Sequence, residues 1–242
     1  MTTKDETNTY RTTAKVVGVV YLAGFVVGIG GNILIQSILG APNRLSMVSA
    51  NSMLLAIGAL LWLMAVVGDA AHGVLMFPIL KQHHERIAVG YLAARIVDAI
   101  FIAVMVLFVL LQIPLSSEYV KAAAPDASAL QALSNLFTQA QLYAYEIGMC
   151  TLGLSGMLLC STLYKAKLVP RWLAIWGLVG YAIIFCGMVS AVMGSGLGDI
   201  SSLPGGLWEV FVGVWLIVKG FSSPATVPQA TKTSTLAEPL VS

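Results

Sequence analysis

Charged residues are scarce in this chain. Only 10% of its 242 residues are Asp, Glu, Lys or Arg, whereas about 25% are charged in an average soluble domain. Hydrophobic residues make up 58% of the sequence, and the mean hydropathy is +0.87. This composition excludes an ordinary soluble fold and indicates that most of the chain contacts a lipid bilayer.

Cysteines are also few, and the common catalytic motifs are missing. Cys150, Cys160 and Cys186 all lie in apolar segments, which excludes a disulfide framework and favours small packing side chains. The sequence has no phosphate-binding glycine loop, no nucleophile elbow and no paired-histidine zinc motif. Its net charge of +2 does not provide a basic surface for nucleic acid. We therefore expect no cofactor, no metal site and no nucleic-acid partner.

The chain does contain six long apolar segments, at residues 16–39, 53–80, 87–115, 143–164, 171–194 and 206–221. Most of them reach the roughly 20 residues that a helix needs to cross a ~30 Å hydrocarbon core. Only helices and closed barrels satisfy every backbone hydrogen bond in lipid, and the segments lack the period-two alternation of barrel strands. The predicted fold class is therefore all-α, a polytopic transmembrane bundle of six spans.

Positive charges alternate from one side of these segments to the other. Ten Lys and Arg residues fall within residues 1–15, 81–86, 165–171 and 219–232, and the opposite connections carry only Arg44 and Lys121. By the positive-inside rule, this bias predicts that both termini are cytoplasmic.

The segments divide the chain into three parts. Residues 1–15 form a polar cytoplasmic arm, residues 16–221 the transmembrane domain, and residues 222–242 a cytoplasmic tail rich in Pro, Thr, Ser and Ala. The tail has too little apolar content to fold alone and is predicted to be disordered. At about residues 129–142, apolar and polar residues recur at helical spacing, which predicts an amphipathic helix at the outer interface that extends the fourth span.

Ionisable side chains lie inside two of the apolar segments. Asp69 and His72 belong to the second segment, and Arg95 and Asp98 belong to the third. The short connection makes these spans an antiparallel hairpin, so Asp69 is expected level with Asp98, and His72 level with Arg95. Both levels lie near the bilayer midplane. An Asp or Arg at that depth costs about 2.5–3.5 kcal/mol on the insertion scale, so these groups are predicted to face inward and pair.

Helical periodicity places these groups on one face of each span. The face of the second span contains Gly58, Trp62, Ala65, Asp69, His72 and Met76, and that of the third contains Tyr91, Arg95, Asp98, Ile102, Met105, Val109 and Gln112. With His72 neutral, the four ionisable groups sum to −1, so one proton is needed for neutrality. We predict that Asp69, His72, Arg95 and Asp98 bind a substrate or a proton. A metal site is disfavoured because Arg95 brings a positive charge to the same depth.

Two further carboxylates lie toward the outer side. Glu146 and Glu209 fall near the starts of the fourth and sixth spans, where a negative charge suits a helix N-terminus at the interface. If they instead turn inward with Asn32 and Gln36 of the first span, the four line a vestibule above the charged group.

Small residues predict close packing between helices. The pattern is seen at Gly24 and Gly28, at Gly156 and Cys160, and at Gly177 and Gly180. We expect these contacts within the monomer, and a homo-oligomer formed through glycine-rich faces is the alternative. A weak repeat, in which Arg11, Ala14, Gly18 and Tyr21 correspond to Arg171, Ala174, Gly177 and Tyr181, is attributed to chance.

Several segments resemble a bacterial integral-membrane family, domain of unknown function 4386. The resemblance is carried by residues 14–22, 168–177, 180–181 and 209–221, and it covers the chain except its tails. Where members of that family often carry a histidine-containing segment, this chain has Tyr143-Ala-Tyr145-Glu146. The resemblance implies a bacterial membrane protein of six or seven helices, in the cytoplasmic (inner) membrane, with no established activity.

Three classes of function fit these features. The first is a small proton-linked transporter or permease that uses the Asp/His/Arg group, and it predicts a cavity reaching Asp69 or Arg95. The second is an intramembrane enzyme acting on a lipid-like substrate, with an opening toward lipid; a non-enzymatic role is favoured over it. The third is a non-catalytic assembly or partner protein in which the four residues form a closed network.

Overall fold

Seven α-helices form the protein in the computed structural model, which describes residues 3–196 and 198–222. The helices are α1 Thr3–Leu39, α2 Arg44–Ala50, α3 Ser52–Lys81, α4 Glu85–Lys121, α5 Ala124–Lys165, α6 Arg171–Val192 and α7 Gly198–Val218. No strand occurs in the described ranges, so the all-α prediction is confirmed. The predicted tail, apart from Ser222, lies outside the described residues.

Six of these helices are long and apolar enough to cross a membrane, as predicted, and α2 is the short exception. Three of them, α1, α5 and α7, begin well before their apolar runs. Helix α1 starts at Thr3, so the predicted polar arm continues the first span as helix, and α7 starts at Gly198 with Pro204 inside it. A polar segment extends a span in this way because a continuing helix satisfies its own backbone groups.

The spans form a closed ring. Each membrane helix packs against the next one in the chain, and α1 packs against α7. The closing contact is tight, because a Cβ at Gly18 would overlap the carbonyl of Gly213. Gly180 of α6 meets the backbone of Gly205 of α7 in the same manner. Glycine thus permits the backbone approach that the ring requires.

Gly24 and Gly28 were expected at a close helix contact, and within the chain this prediction is wrong. A Cβ added at either position would meet no atom within 4 Å. The contact between α1 and α3 is made instead by Gly31, whose added Cβ would meet the carbonyl of Gly58 at 2.8 Å. The spacing Gly-x3-Gly places Gly24 and Gly28 on one face of α1, but that face does not contact a neighbouring helix of the chain.

One end of the bundle collects the first turns of α1, the α3–α4 and α5–α6 connections and the end of α7. Tyr10 Oη donates a hydrogen bond to Gln82, and Ser222 N donates to Leu168 O at 2.8 Å. We call this end the basic face, since it carries Lys81, Arg86, Lys165, Lys167, Arg171 and Lys219. The other end, the opposite face, contains α2 and the α4–α5 turn.

Helices α4 and α5 form an unusually long hairpin. They contain 37 and 42 residues, which at 1.5 Å per residue is about 55 and 63 Å and exceeds the ~30 Å hydrocarbon core. The predicted amphipathic segment lies in the first half of α5, continuous with the span that follows. It packs on α4 through Gln112, whose side chain bonds Ser134 and Thr138.

Candidate functional site

Arg95 joins both intramembrane aspartates. Its Nη2 forms an ion pair with Asp69 Oδ1, its Nε donates to the Asp69 carbonyl at 3.4 Å, and its Nη1 donates to Asp98 Oδ2 at 3.3 Å. Arg95 and Asp98 are 4% and 1% exposed, whereas the Asp69 side chain is 32% exposed. The guanidinium is therefore held between one enclosed carboxylate and one accessible carboxylate.

The α3–α4 hairpin places these groups. All seven residues of the predicted α4 face, from Tyr91 to Gln112, are buried. Gly73 on α3 lets Arg95 lie close, because a Cβ there would stand 3.0 Å from the Arg95 Cβ. The bonds of the long arginine side chain go to Asp69 and Asp98, and not to His72, which was expected at its level.

His72 forms a hydrogen bond with Tyr91, which was not among the predicted site residues. Its Nδ1 lies 2.5 Å from Tyr91 Oη in a buried hydrogen bond. The ring of Tyr21 from α1 packs on the imidazole at 4.2 Å between centroids, tilted by 59°. His72 Nε2 is buried, and no described residue forms a hydrogen bond with it. We refer to Asp69, His72, Tyr91, Arg95 and Asp98 as the central cluster.

A second polar group reaches the centre from α6 and α7. Tyr181 Oη donates to Glu209 Oε1 at 2.6 Å, and Trp208 Nε1 donates to the Leu173 carbonyl at 2.7 Å. The Trp208 ring contacts Tyr181 at 5.4 Å and Tyr21 at 6.3 Å between centroids. Aromatic side chains thus connect Glu209 to the ring that stacks on His72.

Two glycines make room for this aromatic group. The Tyr181 ring lies directly against Gly156 of α5, where an added Cβ would overlap it. Gly177 faces the Trp208 indole and Cys160 Sγ in the same way. The predicted packing role of Gly156 and Gly177 is therefore specific: these positions admit the rings that orient Glu209.

Glu209 was expected near the start of its span as an interfacial cap, and this interpretation is wrong. Because α7 begins at Gly198, Glu209 lies in the middle of the helix and half-buried. Its bond with Tyr181 links it, through the ring contacts of Trp208 and Tyr21, to His72 of the central cluster. Glu209 therefore adds a third carboxyl group to the charged interior.

The other residues of the predicted vestibule lie elsewhere. Asn32 and Gln36 are exposed on the surface of α1 that also presents Ile33, whereas the inward positions are Gly31 and Ile35. Glu146 is half-buried in the middle of α5, and not in its first turn, because α5 begins at Ala124. Of the four predicted vestibule residues, Glu209 is the one for which described contacts connect it to the central cluster, through Tyr181, Trp208 and Tyr21.

The charges in the interior are unequal. Asp69 and Asp98 pair with the single guanidinium of Arg95, whereas Glu209 is bonded by the Tyr181 hydroxyl. With His72 neutral, the formal charges of Asp69, Asp98, Glu209 and Arg95 sum to −2. Isolated buried charge is costly, so this arrangement favours bound protons. Among the described residues, no hydrogen-bond partner is found for the buried atoms Asp98 Oδ1 and His72 Nε2. In the described part of the chain, no three His, Cys, Asp or Glu side chains are arranged to hold a metal ion.

Comparison with known proteins identifies one family. A family model described as Domain of unknown function (DUF4386) matches residues 16–220. The matched region includes five membrane helices completely, α1 from residue 16 onward, and every residue of the central cluster. No curated protein and no solved structure matches the chain.

Proposed function

Because the chain belongs to the DUF4386 family, whose description gives no activity, we propose a function from its interior: a small proton-linked transporter or permease. The central cluster and Glu209 bind the coupling proton. One observation carries the proposal, namely that two carboxyl groups share one guanidinium inside a membrane bundle, and that a third, Glu209, is linked to the cluster through aromatic contacts. Ionisable groups at this depth are costly, and they commonly mark ion or substrate pathways.

Incomplete hydrogen bonding supports this proposal over a purely structural network. A closed network that only fixes helix register satisfies its polar atoms, because each buried unsatisfied group costs about 1–3 kcal/mol. Here Asp98 Oδ1 and His72 Nε2 have no partner among the described residues, although they lie in the cluster with the Arg95 ion pairs. Asp98 Oδ1 can accept a proton, and His72 Nε2 can donate or accept a hydrogen bond to a polar ligand, according to its tautomer.

Asp69 is the most exposed member of the central cluster. Its side chain is 32% exposed, whereas the other members of the central cluster are buried. A proton or solute that reaches Asp69 competes directly for the Arg95 guanidinium. Protonation of Asp69 would release one of the two ion pairs of Arg95, which couples proton binding to a change in the α3–α4 contact.

The proposed setting is the cytoplasmic membrane of a bacterium, with both termini in the cytoplasm. The basic face carries the six Lys and Arg residues by which it was defined, and the opposite face carries Arg44 and Lys121. Such a bias is typical of a cytoplasmic side. In this orientation Asp69 and Arg95 lie between the two aqueous phases, where a coupling site belongs.

The proposal is tested in proteoliposomes on a solid-supported membrane. A panel of solutes is applied with and without a pH gradient, and proton-coupled currents are recorded for the wild type and Asp98→Asn. We expect a current for at least one solute class, and its loss in Asp98→Asn. Glu118→Gln is the matched control, because Glu118 is exposed on the opposite face and pairs with Lys121 at 3.1 Å.

Infrared spectroscopy of the same samples reports on proton binding without a known solute. We expect a protonated-carboxyl band in the wild type that decreases in Asp98→Asn or Glu209→Gln and is unchanged in Glu118→Gln. A wild type that lacks the band, together with no solute-dependent current, would rule out the proposal.

An intramembrane enzyme acting on a lipid-like substrate is the second candidate. It is favoured by the buried 2.5 Å hydrogen bond between His72 and Tyr91, which can pass a proton to a bound molecule. Incubation of the protein with total lipid extract, followed by mass spectrometry, distinguishes the two. Product formation that depends on His72 would favour the enzyme, and unchanged lipids with solute-dependent current would favour transport.

A further inference from the structure

A separate polar cavity opens at the opposite face, far along the helices from the central cluster. It has a volume of about 190 Å³ and is lined by the α1–α2 turn and the facing ends of α4 and α5. This is well above the ~10–15 Å³ that a single water requires. Its lining includes Asn43, Arg44, Tyr119, Gln131, Ser134 and Asn135.

Arg44 is fixed at the wall of this cavity by neutral acceptors. Its Nε donates to the Leu39 carbonyl at 2.8 Å, and its Nη1 donates to Thr138 Oγ1 at 2.8 Å and Asn135 Oδ1 at 3.3 Å. These three bonds tie the guanidinium to α1 and α5. None of them supplies a negative charge, and no described residue accepts a hydrogen bond from Nη2.

The charge of Arg44 is therefore not neutralised within the described residues. The ion pairs found there belong to Lys81, Arg95 and Lys121, and none involves Arg44. Lys121, at the same face, is neutralised by Glu118 at 3.1 Å. A fixed guanidinium with free donors, beside a polar cavity, is the chemistry that recognises phosphate.

The depth of the site also suits a phosphate. Arg44 follows the end of the first membrane helix at Leu39, so it lies where the span leaves the hydrocarbon. Lipid phosphates occupy this level, and Arg and Lys near it attract anionic headgroups. We propose that Arg44 and its cavity bind one phosphate-bearing anion, from either a lipid headgroup or free phosphate in solution.

The test measures thermal stability of the full chain in detergent. One arm compares mixed micelles containing phosphatidylglycerol with micelles containing diacylglycerol, which lacks the phosphate. The other arm titrates inorganic phosphate against chloride at equal ionic strength. The variants are Arg44→Gln and the matched control Lys121→Gln.

We expect stabilisation of the wild type by a phosphate-bearing probe, an apparent affinity weakened by roughly tenfold or more in Arg44→Gln, and no change in Lys121→Gln. Stabilisation by phosphatidylglycerol alone identifies a lipid headgroup. Stabilisation by inorganic phosphate as well identifies a soluble anion. No stabilisation in the wild type by either probe overturns the proposal, and so does an equal effect in Arg44→Gln.

A second variant covers the case in which Arg44→Gln does not fold. Asn43 is exposed, lines the cavity and makes no side-chain capping bond, so Asn43→Leu keeps Arg44 while narrowing the site. In Asn43→Leu, the thermal stabilisation by the phosphate-bearing probe should decrease, whereas the melting temperature without the probe should stay near the wild-type value. An undiminished phosphate effect in Asn43→Leu contradicts binding in this cavity.

Discussion

Among the described residues, the central cluster and the buried polar network around Gln112 differ in charge and in completeness. In the half of the bundle nearer the opposite face, Gln112 is fully buried and its amide group makes three hydrogen bonds to α5. Its Nε2 donates to Ser134 O at 3.1 Å and to Thr138 Oγ1 at 3.2 Å. Its Oε1 accepts from Ser134 Oγ at 2.8 Å. The central cluster is charged, and it leaves Asp98 Oδ1 and His72 Nε2 without partners.

This difference separates a structural role from a functional one. A neutral amide with all of its principal bonds made joins two helices at low cost and gains nothing from a ligand. A charged group with open acceptor atoms costs free energy in the resting state, and a bound proton or ligand recovers that cost. We therefore expect mutations in the two networks to affect stability and function differently.

The largest effect is expected for Arg95→Met. It leaves Asp69 and Asp98 without their cation, and breaking such a buried pair costs about 3–5 kcal/mol of unfolding free energy. Unfolding of the purified protein in detergent checks this value. Combining Arg95→Met with Asp69→Asn and Asp98→Asn should recover much of the loss, because neither of the two former partners of Arg95 then carries a charge. If the triple variant is no more stable than Arg95→Met, the unpaired charge of these two aspartates is not the cause.

A smaller loss is expected when the aromatic support of Glu209 is disturbed. Gly156→Ala places a Cβ into the Tyr181 ring, and overpacking of this kind costs about 1–3 kcal/mol. Gly28→Ala is the control, because its added Cβ meets no atom within 4 Å. Equal stability of the two alanine variants would show that Tyr181 is not held by this contact. The carboxyl infrared band should also change in Gly156→Ala.

The neutral network should respond in stability alone. Gln112→Leu removes the amide and leaves the Ser134 hydroxyl without its acceptor, at a cost of about 1–2 kcal/mol. Any solute-driven current measured for the wild type should be unchanged when compared at equal folded protein. A current lost in folded Gln112→Leu would remove the distinction between the two networks.

The smallest effect is expected at an ion pair in solvent. Lys81 and Glu85 on the basic face form a 3.0 Å i,i+4 pair, with side chains 52% and 67% exposed. Glu85→Gln should reduce the free energy of unfolding by only about 0.3–0.5 kcal/mol. Added salt screens the ion pair, so the difference between the wild type and Glu85→Gln should become smaller still. A loss of stability comparable to that of Arg95→Met would mean that burial does not determine how much an ion pair contributes to the stability of this protein.

The sequence predicted the spans and the inward faces well, because both follow from local physics. Run length gives the number of helices, and periodicity placed Arg95, Asp98 and Gln112 on one buried face of α4. Periodicity does not say which neighbouring helix meets that face. For this reason the bond between His72 and Tyr91 was missed, although Tyr91 was on the predicted face.

The start of α7 was missed for a different reason. Residues 198–205 contain two serines, a proline and two glycines, which are typical of a loop, yet Ser201 bonds the carbonyl of Gly198 and the helix continues through Pro204. This extension moved Glu209 from the helix start to its middle.

The weak repeat attributed to chance also corresponds to a shared arrangement. Its glycines, Gly18 and Gly177, both closely approach α7, and its tyrosines, Tyr21 and Tyr181, both contact Trp208. The two segments therefore make similar contacts with the last helix.

The α3–α4 hairpin has a consequence for biogenesis. Helix α4 carries Arg95 together with Asp98, and the preceding helix carries Asp69, so the cation and both of its counter-ions belong to two consecutive spans. If these spans leave the ribosome and enter the bilayer as a unit, Arg95 is already neutralised when it reaches the hydrocarbon. The last helix, α7, then closes the ring around a charge that has been paired since the fourth helix was inserted.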